Sequence, residues 1–254
     1  NGDAHADLVL TRDWGSILLL LNDGHGRLRV APESWGLSRW TSQWNGASVG
    51  DLDGDGALDL VATSWGRNTG VQADSARPLT LTYGPFGSGG EIEMLLGRAD
   101  GSTGALVPLY SFARVRMAVK DVVARVGSFA AYAGASVDSV VGGAATQQLT
   151  VRTLDHMMFR NVGGRFTATP LAAETQQAPA FASAIADFDG DGAEDLFLGQ
   201  NFFPTMIGMP RHDQGRGLLL RGEPLRGKIG QPSIPMSLAA DGARFLGLKI
   251  GRRS

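Results

Sequence analysis

Short apolar runs set between polar and glycine-rich stretches dominate this chain. Leu8-Val9-Leu10, Ile17 to Leu21, Leu60-Val61-Ala62 and Leu196-Phe197-Leu198 are each bounded by turn-forming residues. Runs this short cannot make helices and predict buried strands. Two stretches, Leu21-Asn22-Asp23-Gly24-His25-Gly26-Arg27-Leu28 and Arg160-Asn161-Val162-Gly163-Gly164-Arg165-Phe166, place a tight Asn/Gly turn between strand-like residues. Both predict β-hairpins. One region has a different texture. From Tyr110 to Val141 alanine is abundant and proline absent, and Phe112, Val115, Val119, Val122, Val123 and Val126 recur at steps of three and four. That period predicts an amphipathic helix broken at Gly127-Ser128, with Ser128 capping a second helix to about Val140.

Polar positions between the runs are as patterned as the apolar ones. Asp51-Leu52-Asp53-Gly54-Asp55-Gly56-Ala57-Leu58-Asp59-Leu60 and Asp187-Phe188-Asp189-Gly190-Asp191-Gly192-Ala193-Glu194-Asp195-Leu196 are almost one sequence. Each carries acids at positions 1, 3, 5 and 9 and glycines at 4 and 6. Four carboxylates this close repel unless a cation lies among them, and their hard oxygens suit Ca²⁺. Glycine at position 6 permits the sharp turn that lets alternate side chains converge. An EF-hand would need a bidentate Glu at position 12, where Ala62 and Leu198 stand. A dockerin pairs its loops within a few tens of residues, whereas Asp51 and Asp187 lie 136 apart. A solvated acidic turn without metal is the bland alternative, and two near-identical copies count against it.

The chain opens on a third copy that lacks its first ligand, so that Asn1, Asp3 and Asp7 fill positions 3, 5 and 9; this start looks like that of a fragment. A decayed fourth copy follows Tyr83-Gly84, with Pro85, Gly87 and Gly89 in place of acids and only Glu93 able to coordinate; it is expected to be metal-free. Motif starts are spaced 52, 34 and 102 residues apart. Repeats of this order built from short strands fit the blades of a β-propeller. The expected fold is therefore all-β, with propeller blades over residues 1–110 and 143–254 and a helical insertion over 111–142.

With these loops, hairpins and spacings, the chain resembles the FG-GAP/VCBS repeat family, the integrin-α-like calcium-binding β-propellers. Tyr83-Gly84-Pro85-Phe86, Phe129-Ala130-Ala131-Tyr132-Ala133 and the run from Ala180 into Asp187 also resemble bacterial VCBS proteins of the ASPIC/UnbV group. The resemblance covers most of residues 1–222. It implies seven blades when complete, of which about four or five are present here. It also implies calcium held by Asp51, Asp53, Asp55 and Asp59, and by Asp187, Asp189, Asp191 and Asp195, with the carbonyls of Ala57 and Ala193 at position 7. Ser237 to Ile250 would begin a further blade.

Composition narrows the function. A net charge of −2 gives no field that would draw nucleic acid or an anionic membrane. The basic stretch from Arg211 onward is scattered among Gly and Pro, as a solvated surface is. With no cysteine there is no disulfide, thiolate zinc site or cysteine nucleophile. No apolar run approaches membrane-spanning length, and no leader peptide is evident. His5, His25, His156 and His212 share no metal spacing, and the chain has no P-loop. All five tryptophans lie before residue 66. Trp14, Trp65 and Phe202 hold equivalent places and suit packing between blades; Trp40 and Trp44 are the candidates for an exposed contact. Sites of extracellular modules bind calcium at about 10⁻⁴–10⁻³ M and would stand empty in a cytosol. The expectation is an extracellular or periplasmic module that binds protein or glycan, with calcium structural. The alternative is an exported lyase or hydrolase acting on carbohydrate.

Overall fold

In a computed structural model the described residues are 1–119, 121–203 and 211–222, with the backbone of 237–238. Seventeen strands follow in chain order: β1 Leu8–Leu10, β2 Gly15–Ser16, β3 Leu18–Asn22, β4 Leu28–Val30, β5 Thr41–Ser42, β6 Gly46–Gly50, β7 Asp59–Thr63, β8 Leu79–Gly84 and β9 Glu93–Ala99. After them come β10 Leu106–Pro108, β11 Gln147–Val151, β12 Met157–Val162, β13 Arg165–Pro170, β14 Ala180–Ala186, β15 Asp195–Gln200, β16 Leu218–Arg221 and β17 Ser237–Leu238. All described pairings are antiparallel. The two predicted hairpins are present as β3–β4 and β12–β13.

Three sheets share one plan. Sheet I is β1-β3-β4, sheet II is β6-β7-β12-β13 and sheet III is β14-β15-β16-β17. Registers make their second and third strands equivalent. Leu20, Phe159 and Leu220 oppose Leu8, Leu60 and Leu196, the residues at position 10 of each acidic motif.

Alternation along these strands explains the stacking. In sheet II, Leu60, Ala62, Met157 and Phe159 pack with Ile17 and Leu19 of the sheet I segment. Val61 and Met158, on the other face, pack with Leu196, Leu198 and Leu220 of sheet III. Sheet II is thus buried on both faces, which is why Leu60-Val61-Ala62 is apolar without a break. At the inner edge β6 lies along β14, with Ser48 Oγ 2.7 Å from Ser183 Oγ and Asn45 Nδ2 donating to the Ala180 carbonyl at 3.1 Å.

Sheet I is packed on one face only. Leu8, Leu10, Leu28 and Val30 on its far side are 41, 39, 48 and 64% exposed, against the expectation that Leu8-Val9-Leu10 is buried throughout. The far face of sheet III likewise exposes Phe197. Among the described residues no strand lies beside β6 on its sheet I side, and a cavity of about 1010 Å³ opens there, lined by Ala47, Ser48, Val49, Val9 and the first two acidic loops.

Between β7 and β12, neighbours in sheet II, the chain leaves to build a separate unit. A four-stranded sheet, β10-β9-β8-β11, carries four short helices: α1 Phe112–Ala118, α2 Val122–Val126, α3 Phe129–Ala133 and α4 Val137–Val141. Phe112, Val115, Val119, Val122, Val137, Val140 and Val141 form its core with Phe86 and Leu95. The two long helices expected from periodicity are each split. Val119 takes an extended conformation that ends α1, and Gly134 with Ser136 separates α3 from α4. Ser128 caps α3 as expected, accepting from the Ala131 amide at 3.1 Å, and Ser136 does the same for α4.

Beyond Ser237–Leu238, which pairs with β16, the expected further blade lies outside the described residues.

Candidate metal-binding loops

The acidic motifs are the loops that join first and second strands. Gly50 pairs with Asp59 to close the second loop, and Ala186 pairs with Asp195 to close the third. Inside them one bonding scheme recurs. The position 1 carboxylate accepts the amides of positions 5 and 6: Asp51 takes Asp55 and Gly56 at 3.0 and 2.9 Å, and Asp187 takes Asp191 and Gly192 at 3.1 and 3.0 Å. Position 5 accepts the position 7 amide, Asp55 from Ala57 at 2.8 Å and Asp191 from Ala193 at 2.9 Å. Glycines at positions 4 and 6 have φ between +70° and +89°, as this turn demands.

The first loop is built the same way with poorer residues. Asn1 accepts the Asp3 amide at 3.2 Å, and Ala4 is held at φ +63° where the other loops use glycine. The terminal ammonium of Asn1 lies 3.2 Å from Asp7 Oδ2.

Position 9 has a structural task in all three copies. Asp7, Asp59 and Asp195 accept the backbone amides of Asn22, Asn161 and Gly222 at 2.8, 2.8 and 2.9 Å. These donors stand at the same place on or just after the third strand, so the carboxylate ties loop to sheet. The side-chain Nδ2 groups of Asn22 and Asn161 donate to the position 8 carbonyls, Ala6 and Leu58, each at 3.2 Å. Where Gly222 replaces Asn, a Cβ would stand only 2.4 Å from the equivalent Glu194 carbonyl, so the backbone approaches directly.

Carboxylate oxygens of Asp51, Asp53 and Asp55 lie within 4.8 Å of one another, as do those of Asp187, Asp189 and Asp195. Asp191 stands outside the third-loop cluster and Asp59 outside the second. Asp59 is wholly buried, with Oδ2 lacking a hydrogen-bond partner, and burial pushes its carboxyl up to about 6. Burial, with Asp55 nearby, also raises Asp53. A hard-oxygen donor set with an orphaned buried oxygen fits a hard divalent cation. Ala57 and Ala193, expected to offer backbone carbonyls, donate their amides to Asp55 and Asp191.

Two residues that motif reasoning passes over belong to these sites. Arg160 lies 3.7 Å from Asp53, and Arg221 lies 3.4 Å from Asp189. They are equivalent, each following the residue of its third strand that opposes position 10. Where position 3 is the neutral Asn1, the matching residue is Leu21. That covariation within one chain was the available signal.

The worn fourth copy keeps the closure, Gly84 pairing with Glu93 as Gly50 pairs with Asp59. The Glu93 carboxylate occupies the space a side chain on Gly87 would need.

Among the aromatics, Trp65 meets Phe181 and Phe202 edge-on at 6.0 and 5.1 Å, the packing expected of it. Trp44 is 4% exposed and packs on Phe159, so it makes no exposed contact. Trp40 is half-buried. His156 is fully buried and satisfied by the Ser64 amide and the Ala178 carbonyl.

Residues 1–62 match the family model for the FG-GAP-like repeat, a span that holds the first acidic loop, sheet I, the second loop and most of β7. No curated protein matches the chain. Among the described residues no helix is long and apolar enough to cross a membrane.

Proposed function

We propose that this chain forms blades of a calcium-stabilised β-propeller that works as an extracellular or periplasmic binding module for protein or glycan. The near-identity of the second and third loops carries the reading: their matched amide-to-carboxylate bonds agree to within 0.1 Å. Sheets I, II and III would be consecutive blades. The apolar far faces of sheets I and III are where further blades of a ring would seat. FG-GAP-like repeats are typically extracellular, and millimolar calcium outside the cell would fill sites of this class.

Asp51, Asp53, Asp55 and Asp59 would hold one ion and Asp187, Asp189 and Asp195 another, with Asp191 at the rim. Bound there, the cation supplies charge neutralisation and no catalysis. The first loop, with Asn1, Asp3 and Asp7, has only two carboxylates against the four aspartates of either intact copy and is the weakest candidate.

Calcium titration followed by thermal unfolding tests this. With Kd near 10⁻⁴ M, 10 mM calcium stabilises the fold by about 2.7 kcal/mol per site. At about 2–4 °C per kcal/mol, one site raises the midpoint by roughly 5–10 °C. Asp53→Ala and Asp189→Ala should each remove about half of the total rise and together abolish it. A midpoint indifferent to calcium in the unsubstituted chain overturns the metal assignment.

A further inference from the structure

We propose that a cavity remote from the acidic clusters, where the β2–β5 pair meets β11, binds an acidic oligosaccharide, a sugar chain carrying carboxylates. The proposal rests on the binding-module reading for the kind of activity, and it names the ligand class and the site.

The cavity encloses about 660 Å³, within the range of small-ligand sites. Trp14, Trp40, Arg12, Arg39, Arg152 and Gln148 line it, and no Asp or Glu does among the described residues. Arg12 is anchored by Nε to the Ser16 carbonyl at 2.9 Å and by Nη2 to Ser16 Oγ at 2.7 Å; Nη1 enters neither bond. None of the three guanidiniums belongs to an ion pair among the described residues. Three unpaired guanidiniums in one hollow of a protein of net charge −2 make a local anion site. The nearest acid along the chain, Asp13, is not on the wall.

The wall is shaped at a cost. Trp14 stands at φ +56°, a conformation that bulky residues avoid, and strain of that kind concentrates at functional sites. Its indole packs against the Leu79, Val151 and Leu154 cluster and also lines the cavity. Two polar atoms of lining residues, Trp40 Nε1 and Thr41 Oγ1, are shielded from water without a hydrogen-bond partner. Arg39 lies over the Trp40 ring at 5.6 Å. Indole surfaces pack on the apolar faces of sugar rings, and guanidinium forks bind carboxylates in two-point fashion. Together they select a sugar bearing charge. A nucleic acid would instead need basic residues along a track of successive phosphates, and the three arginines here converge on one hollow.

The test is calorimetric titration of the full chain, in calcium, with a hyaluronan hexasaccharide and with chitohexaose, which differ in the presence of carboxylates. The charged sugar should bind with affinity that falls as salt rises, and the neutral one should bind at least about tenfold more weakly. Arg39→Gln and Arg152→Gln should each weaken binding by about fivefold or more. Trp14→Gly should abolish it and also lower the thermal midpoint, because the indole packs on the Leu79 cluster, so Arg39→Gln and Arg152→Gln are the variants that separate binding from folding. Equal binding of both sugars, no binding of either, binding unmoved by all three substitutions, or equally tight binding of duplex DNA overturns the proposal. Loss of the calcium shift in unfolding, with sugar binding intact, would strike the metal reading and leave this one standing.

Discussion

His156 should be worth several kcal/mol to the fold and should make stability depend on pH. It is fully buried at the start of β12, where Nδ1 accepts the Ser64 amide at 2.9 Å and Nε2 meets the Ala178 carbonyl at 3.0 Å. Its own backbone is clasped by Gln176, which accepts the His156 amide and donates to the His156 carbonyl, each at 2.9 Å. One ring therefore joins the end of β7, the start of β12 and the approach to β14. Replacing it with leucine keeps most of the volume and orphans the Ser64 amide. The Ala178 carbonyl keeps only a 3.5 Å approach from Gln200. At about 1–3 kcal/mol for each buried group left unpaired, the loss is roughly 2–4 kcal/mol, and His156→Ala adds a cavity cost of about 2 kcal/mol or more. Urea unfolding at pH 7.5 would measure both.

Burial holds the His156 imidazole below its ordinary pKa, against opposing contributions from the Ala178 carbonyl and Asp155. Protonation would also set a second N–H against the Ser64 amide. The unfolded state, with a pKa near 6.5, thus binds more protons than the folded one below that pH. The contribution is whole above about pH 6.5 and is lost as pH falls through the window toward the folded value. Asp59, raised to about 6, has the opposite sign: its elevated folded pKa favours the fold at low pH. The comparison must be the difference between the parent and His156→Leu at one calcium concentration, which removes the Asp59 contribution. The parent should lose stability faster than the variant between pH 7 and 5. A leucine variant within about 1 kcal/mol of the parent, or parallel pH profiles, would refute the reasoning.

Ala4→Gly should stabilise the chain by about 0.5–1 kcal/mol, because the first loop holds Ala4 at φ +63° where its sister loops carry glycine; denaturant midpoints check this. Gly66→Ala should cost more than about 2 kcal/mol, since a Cβ would meet the Gln176 carbonyl at 2.6 Å on a residue already at φ +74°; chemical unfolding should show it. Ser48→Ala and Ser183→Ala should couple by about 0.5–1.5 kcal/mol in a double-mutant cycle, because their hydroxyls meet at 2.7 Å between β6 and β14.

Local chemistry was the legible part of this sequence. The acidic loops, both Asn/Gly hairpins and the Ser128 cap follow from residues within ten positions of one another, and the structure places each of them. Connectivity was not legible. Nothing near Thr63 announces that the next strand of sheet II begins at Met157, because strand pairing is fixed by contacts between distant residues such as Leu60 and Phe159. Exposure failed for a related reason. Trp44 sits in a polar stretch, and local polarity suggested a surface; Phe159, more than a hundred residues on, covers it. The helices failed on a finer scale: the valine spacing was right, but Val119, in a core shared with Phe86 and Leu95, takes the extended conformation that ends α1.

The recurrence of Arg160 and Arg221 beside position 3, with Leu21 where position 3 is Asn1, bears on what holds the loops in shape. Backbone amides satisfy Asp51, Asp55, Asp187 and Asp191 through hydrogen bonds that any folded copy can make. Charge is a separate matter: with one guanidinium beside each, four carboxylates leave the second loop about three charges negative at neutral pH, and Glu194 makes the third about four. Three carboxylates of each loop lie within 4.8 Å of one another, and their repulsion opposes a turn that the amides and glycines have already shaped. A divalent cation would remove most of that repulsion without remaking a hydrogen bond, so the loops are preorganised and little ordering cost attends its binding. The same division of labour explains how the fourth copy can lack those acids and still close through Gly84 and Glu93: the strand pairing holds the turn, and only a loop crowded with carboxylates would call for a cation.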